Sequence, residues 1–162
     1  MVLIPAVAAA VDVPVIAAGG IANGRQMMAA MVMGAEGVQM GTRFVASEEA
    51  SSHIAFKQLV TGSQEGDTML SMKNLVPVRL LRNSFFTAVA AAESRGATRE
   101  ELQQLLGRGR AKKGMFEGDM EEGELEIGQV AALVKDIRPA GQIVQETWQE
   151  FEEACRNPFR II

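Results

Sequence analysis

The 162-residue sequence has one cysteine, one histidine, one tryptophan and no tyrosine. Cys155 has no partner for an internal disulfide, and with His53 it is too little for a zinc site of nitrogen and sulfur ligands. The most apolar stretch is interrupted by Pro5, Asp12 and Pro14, so it falls short of the roughly 20 apolar residues that span a bilayer. It also lacks the basic flank of a secretory signal. We therefore expect a cytoplasmic protein without a membrane span or a metal site.

Charge and aromatic content exclude two further classes. The formal net charge is −4 and 48% of the residues are hydrophobic, which suits a globular domain with a real core and neither a disordered segment nor a nucleic-acid-binding protein. Only 5% of the residues are aromatic, so stacking on aromatic rings is not how a ligand is held. Glycine is abundant, with 16 residues, and we expect some of them at positions that require a bare backbone.

The first third of the chain alternates between two patterns. A continuous apolar run at 13–18 is typical of a strand buried on both faces, and 37–45 is predicted to be a second strand. Between them, residues 25–34 carry an apolar stripe at helical spacing, formed by Met27, Met28, Met31 and Val32. The complete predicted order is a helix at 2–11, a strand, a helix, a strand, and a helix from an N-cap at Ser47 to about Val60. This order predicts a parallel sheet joined by one crossover helix.

The pattern changes after Gly62. We predict a short strand at 68–72, a helix at 76–94, a capped helix from Thr98 to Leu106, and helical segments at 128–134 and 140–155. The basic segment 107–114 could bind phosphate, but we favour a solvated connector whose charge is balanced by the acidic stretch 117–126.

Glycines follow both predicted strands. Gly19 and Gly20 come directly after the first, and Gly41 follows the second together with Thr42 and Arg43. Ligands of parallel α/β folds gather at the carboxyl ends of the strands, where an amide without a neighbouring Cβ can approach a phosphate oxygen. Thr42 could add a hydroxyl and Arg43 a positive charge. The alternative is that these glycines only make turns, and spacing alone does not decide between the two readings.

Two motifs of the sequence resemble a known family. They are Val13-Pro14-Val15-Ile16-Ala17-Ala18-Gly19-Gly20-Ile21-Ala22-Asn23-Gly24 and Met33-Gly34-Ala35-Glu36-Gly37-Val38-Gln39-Met40-Gly41-Thr42-Arg43-Phe44. They look like the C-terminal part of the nitronate monooxygenases, formerly called 2-nitropropane dioxygenases, which are FMN-dependent β/α barrels. Flavin-type enoyl-acyl-carrier-protein reductases are close relatives. The resemblance continues through Ser47-Glu48-Glu49, Ala111-Lys112, Glu117-Gly118-Asp119 and Gly128-Gln129.

The resemblance implies an α/β fold, the C-terminal portion of an FMN-binding (β/α)8 barrel with a smaller, mostly helical lid. It implies that backbone amides hold the FMN phosphate at Gly19, Gly20, Ile21, Gln39, Met40, Gly41 and Thr42. The implied reaction oxidises alkyl nitronates with dioxygen to a carbonyl compound and nitrite. In the reductase alternative, a nicotinamide supplies hydride for an enoyl thioester.

The resemblance covers only part of a barrel, which typically needs about 250 residues. We expect the last two βα units at 1–62, a lid region at 63–135 and a C-terminal helix at 136–162. The catalytic histidine of the family would lie upstream of these residues, and His53 does not match it. We therefore expect a truncated chain with no catalytic residue of its own.

An alternative of another class is a non-catalytic module that binds a partner. Strands at 13–18 and 37–45 without further neighbours would leave open sheet edges, which favour self-association or a homo-oligomer.

Overall fold

The computed structural model describes residues 2–159, and helices and strands alternate in its first third. The elements are α1 (Leu3–Ala8), β1 (Ile16–Ala18), α2 (Gly24–Val32), β2 (Gly37–Gln39), α3 (Thr42–Val45), α4 (Ile54–Gly62), β3 (Thr68–Ser71), β4 (Val78–Leu81), α5 (Ser84–Ser94), α6 (Arg99–Leu106), a π-helical turn (Lys112–Phe116), a 3₁₀ helix (Gln129–Leu133) and α7 (Ala140–Arg156).

The predicted parallel pair with a crossover helix is confirmed. β1 and β2 are parallel, with Ile16 opposite Gly37 and Ala18 opposite Gln39. α2 connects them; the side chain of Asn23 caps its N-terminus by accepting from the amide of Gln26 at 2.9 Å. The helix ends before Gly34, whose φ of +105° is a conformation that glycine adopts without strain.

Burial of the first strand on both faces was predicted and is wrong. β1 has three residues, of which only Ala17 is buried, whereas Ile16 is 56% exposed. Because side chains alternate between the two faces of a strand, Ala17 packs into the cluster with Ile21 and Ala30, whereas Ile16 and Ala18 lie on the opposite face, which no described element buries. The predicted stripe on α2 is also wrong at Val32, which is 75% exposed, because Ala30 is the residue that packs into the core there.

The second predicted strand and the helix after it are corrected. β2 ends at Gln39, and the chain turns at Gly41 into the short helix α3, with the amide of Val45 donating to the carbonyl of Gly41 at 3.0 Å. Ser47 caps no helix. It is buried, and its carbonyl accepts from Nζ of Lys57, which donates to two further loop carbonyls. Because this loop is held in place by Lys57, α4 begins only at Ile54.

The second half begins with an antiparallel hairpin of β3 and β4. The predicted strand at 68–72 is confirmed. Of the helix predicted at 76–94, residues 84–94 are confirmed as α5, whereas 78–81 form β4. Asn83 starts α5 by accepting from the amide of Phe86 at 2.8 Å. The capped helix at Thr98 is confirmed with a complete capping box to Glu101. The segment 128–134 contains a 3₁₀ turn in place of the predicted helix.

Three clusters of buried apolar side chains form the core, one around β1 and α2, one between the hairpin and helices α5 and α6, and a central one that joins α4 to residues 125–134. The long helix α7 packs on α2 at a very close approach. A Cβ on Gly24 would lie 2.1 Å from the amide nitrogen of Phe151, so the two backbones meet where α2 begins. The proposed boundaries at residues 62 and 135 stay a prediction, and residues 160–162 of the last segment lie outside the described residues.

Candidate functional site

The two glycine-bearing segments leave the sheet side by side. Because Ala18 and Gln39 are partners in a parallel register, 19–21 and 40–42 begin at the same carboxyl edge, on strands that such sheets hold about 4.8 Å apart. The structure thus brings together the two halves of the predicted site. The two segments are about 20 residues apart in sequence, and α2 is the helix that connects them.

The backbone of the first segment is left-handed. Gly19 has φ +90° and Gly20 has φ +72°, values that a residue with a Cβ rarely adopts. A Cβ built on either glycine meets no atom within 4 Å, so the space beside them is open. The side chain of Ile21 is buried in the same apolar cluster as Ala17. Ile21 can therefore serve a ligand only through its backbone.

The second segment is a turn that becomes a helix. Gly41 occupies the N-cap position of α3 with φ −90°, and a Cβ there would also meet no atom within 4 Å. The side chain of Gln39 is exposed and that of Met40 is half-buried against the cluster around β1. Outside the strand ladder, none of the hydrogen bonds within residues 2–159 uses the amide of Gly19, Gly20 or Gly41 as donor.

Thr42 is buried at the end of this turn. Its Oγ1 accepts from the amide of Gly128 at 3.1 Å, although the two residues are 86 positions apart in sequence. A hydroxyl has one proton to donate and two lone pairs, so this contact leaves the proton available.

Arg43 does not supply a free positive charge, contrary to the prediction. Its guanidinium is 10% exposed and pairs with the carboxylate of Asp136 at 2.6 Å, while a second nitrogen donates to the carbonyl of Asp136 at 3.0 Å. Asp136 also pairs with Arg138, which reaches Glu146 on α7. The charge of Arg43 therefore fastens α3 to the segment before α7.

An open cavity of about 540 Å³ lies behind this ion-pair network. It is lined by side chains of both signs, including Arg43, Asp136, Glu146 and Glu150. The carboxylate of Glu150 accepts from the amide of Gly24 at 2.8 Å, so it occupies the N-terminus of α2 that could otherwise attract an anion. A phosphate is therefore better placed on the glycine side of the loops than in this cavity.

His53 and the basic segment have structural roles. His53 is the N-cap of α4, where its Nδ1 accepts from the amide of Ala55 at 3.2 Å, so it is a helix-end histidine. In the basic segment, Lys112 pairs with Glu117 and Lys113 with Asp119, both at 2.8 Å. Balance by the acidic stretch is thus confirmed.

Comparison with known proteins decides the family. Residues 1–150 match the model of the family described as nitronate monooxygenase. The chain belongs to the nitronate monooxygenase family. A probable nitronate monooxygenase of Staphylococcus saprophyticus is 42% identical over 88 residues, which cover 52% of this chain and 24% of that protein. One from Staphylococcus haemolyticus is 45% identical over 71 residues, covering 44% and 20%.

Solved structures extend the likeness to nearly the whole chain. FabK from Thermotoga maritima has a TM-score of 0.90 and 39% identity, covering 97% of this chain and 50% of that one. A nitroalkane oxidase from Streptomyces ansochromogenes has a TM-score of 0.75 and 29% identity, covering 95% and 44%. The chain therefore spans half or less of the length of each of these four proteins. These likenesses confirm the α/β fold class as part of a β/α barrel and make the chain a member of an enzyme family of oxidoreductases, for which they support a flavin cofactor.

The glycine loops fit such a cofactor. Three glycines with open space at their Cβ positions, the last followed in the chain by a hydroxyl that keeps its own proton, suit a phosphate that needs donors and close approach. Two partners at this site carry no recognisable sequence signal: Asp136 and Glu150 come from 93 and 126 residues away. Gly128, 86 residues from Thr42, lies in a segment that resembles the family, but sequence reasoning gave it no role at the site. Among the described residues no helix is long and apolar enough to cross a membrane.

Proposed function

We propose that this chain forms the phosphate-binding part of an FMN-dependent oxidoreductase that oxidises alkyl nitronates with dioxygen to a carbonyl compound and nitrite. The observation that carries the proposal is the pair of glycine loops that leave adjacent parallel strands with open space beside them. FMN is the expected flavin because the site offers donors suited to a terminal phosphate.

Each residue has a defined part in this proposal. The amides of 19–21 and 40–42 bind and orient the phosphate, and the hydroxyl of Thr42 donates one further hydrogen bond. The flavin, when bound, supplies the redox chemistry of the reaction, so the protein contributes position and surroundings. Because His53 is engaged as a helix cap, the catalytic base is expected outside residues 2–159.

The cofactor proposal is tested by flavin fluorescence during titration with FMN and with riboflavin, which lacks the phosphate. We expect FMN to bind at least about tenfold more tightly, the effect of roughly 1.4 kcal/mol from charge-assisted hydrogen bonds. Equal affinity for the two flavins would refute a phosphate site. The reaction is tested by nitrite release from an alkyl nitronate in FMN-loaded protein.

The second candidate reaction is that of an NAD(P)H-dependent flavin enoyl-acyl-carrier-protein reductase. The observation in its favour is that the TM-score with FabK, 0.90, exceeds the 0.75 obtained with the nitroalkane oxidase. The two candidates are separated by their small-molecule substrates. NADH or NADPH oxidation that depends on an enoyl thioester, without nitrite release from the nitronate, would favour the reductase.

A candidate of another class is a non-catalytic module that binds a partner through the open edge of β1, with a second copy of this chain as the partner to be tested. In its favour, Val13 and Ile16 are 66% and 56% exposed beside that edge, and unpaired strand edges recruit further strands. Sedimentation velocity should then show a mass that rises with concentration, and Ile16→Lys should abolish the rise. A monomer at all concentrations would contradict this candidate.

A further inference from the structure

One side-chain contact joins the candidate phosphate turn to the segment that returns from the hairpin region. Thr42 lies in the turn after β2, and its Oγ1 accepts from the amide of Gly128 at 3.1 Å. Gly128 stands at the N-cap position of the 3₁₀ helix Gln129–Leu133. The contact is therefore a direct link between the ligand side of the sheet and the second half of the chain.

The fit at Gly128 is tight. A Cβ on this residue would lie 2.7 Å from Oγ1 of Thr42, which is closer than real contacts allow. The φ of Gly128 is −72°, a value that other residues adopt readily. Glycine is thus required here by the approach of Thr42 and not by backbone conformation.

The segment that Thr42 contacts is itself held on both sides. Just before Gly128, the amide of Ile127 donates to the carbonyl of Arg79 on β4 at 3.1 Å. Just after it, Val130 and Ala131 are buried in the central cluster. A change in order at Gly128 would therefore reach both the hairpin and the core of the second half.

The hydroxyl of Thr42 can still donate one hydrogen bond. It accepts from Gly128 with a lone pair and keeps its own proton to donate, and its neighbour in the chain, Gly41, has open space at its Cβ position. A hydroxyl that donates to a charged oxygen becomes a better acceptor, because hydrogen bonds in a chain polarise one another.

We propose that Thr42 is a positioning residue that couples binding of the flavin phosphate to the order of residues 127–131. Its hydroxyl donates to a phosphate oxygen and accepts from Gly128 at the same time, so a bound phosphate strengthens the hold on the returning segment. The proposal rests on the proposed function for the presence of a phosphate and goes beyond it in the effect on the second half.

The test is amide hydrogen exchange at 127–131 without ligand, with FMN and with riboflavin. In the wild type, FMN should slow exchange at these amides by up to about twofold, because cooperative strengthening adds about 10–30% to a hydrogen bond worth roughly 1 kcal/mol, and riboflavin should not. Thr42→Ser keeps the hydroxyl and should respond like the wild type. Thr42→Val removes it, so the Gly128 amide should exchange faster without ligand and gain nothing from FMN.

Thr61→Val is the matched control, because the hydroxyl of Thr61 donates only to the exposed carbonyl of Gln58 within α4. It should respond to FMN like the wild type. Protection that survives in Thr42→Val, or that is lost in Thr42→Ser, would overturn the coupling. FMN binding with unchanged exchange at 127–131 would overturn the coupling alone, whereas absence of FMN binding in the fluorescence titration would overturn the proposed function as well.

Discussion

Gly41→Ala separates the binding role of the second glycine loop from its role in the fold. Gly41 has φ −90° and ψ −64°, which alanine adopts without strain, and the added methyl would meet no atom within 4 Å. A glycine-to-alanine change at such a position restricts the unfolded chain and stabilises by about 0.4–1 kcal/mol. The free energy of unfolding should therefore stay the same or rise slightly.

The same methyl would stand in the space assigned to the phosphate. If it prevents one hydrogen bond to a charged oxygen, the loss is about 1.5–3 kcal/mol, which corresponds to roughly a 10- to 150-fold weaker affinity for FMN. Riboflavin has no phosphate, so its affinity should not change. Selective loss of FMN binding in a protein of normal stability is thus the expected signature.

Flavin fluorescence titration gives the affinities, and urea unfolding gives the stability. Gly62→Ala is the matched control, because Gly62 at the end of α4 has equally open surroundings and lies away from the glycine loops. It should bind both flavins like the wild type. The reasoning is refuted if Gly41→Ala binds FMN as tightly as Gly62→Ala, or if it loses FMN and riboflavin to the same degree.

Three further predictions concern packing and charge. Gly24→Ala should destabilise by about 1–3 kcal/mol by forcing α2 and α7 apart, and in thermal unfolding it should fall below Gly141→Ala, whose methyl has open space. Lys57→Met leaves three loop carbonyls without their donor, at about 1–3 kcal/mol for each buried one; a urea midpoint as high as that of the exposed-site variant Lys73→Met would contradict this. Burial raises the pKa of the Glu124 carboxyl above 4.5, so the folded state keeps a proton that the unfolded state releases, and this contribution makes stability fall as pH rises. Glu124→Gln should remove this pH dependence. The Tm of the variant minus the Tm of the wild type should therefore increase between pH 4 and 8, and a constant difference would count against this role of Glu124.

Local signals predicted the elements whose cause is local. The capping box at Thr98 and the glycine stop at Gly34 depend on residues a few positions apart, and both are confirmed. The segment 78–81 has an apolar pattern that suits a helix as well as a strand, and its pairing with β3 decides the outcome. Ser47 carries a cap-like sequence, but the tertiary bond from Lys57 holds it in a buried loop.

The candidate site shows the same difference between features with a local cause and features that depend on tertiary contacts. Glycines after two strands predicted that 19–21 and 39–42 would be neighbours, because parallel register follows from the βα alternation. The pairing of Arg43 with Asp136 could not be predicted, since it joins residues 93 positions apart through the packing of the returning chain. Sequence spacing therefore predicted that the two glycine loops would be neighbours, whereas tertiary contacts determined which nearby side chains are engaged elsewhere.

In the proposed complex, the backbone amides of the two glycine loops bind the phosphate of FMN. Two-dimensional amide NMR of the labelled protein, recorded during titration with FMN and with riboflavin, tests it most directly. We expect FMN, but not riboflavin, to change the chemical shifts of the backbone amides of 19–21, 40–42 and Gly128. FMN-specific shifts concentrated in the basic segment 107–114 or in the cavity beside Asp136, with the glycine loops unchanged, would contradict it.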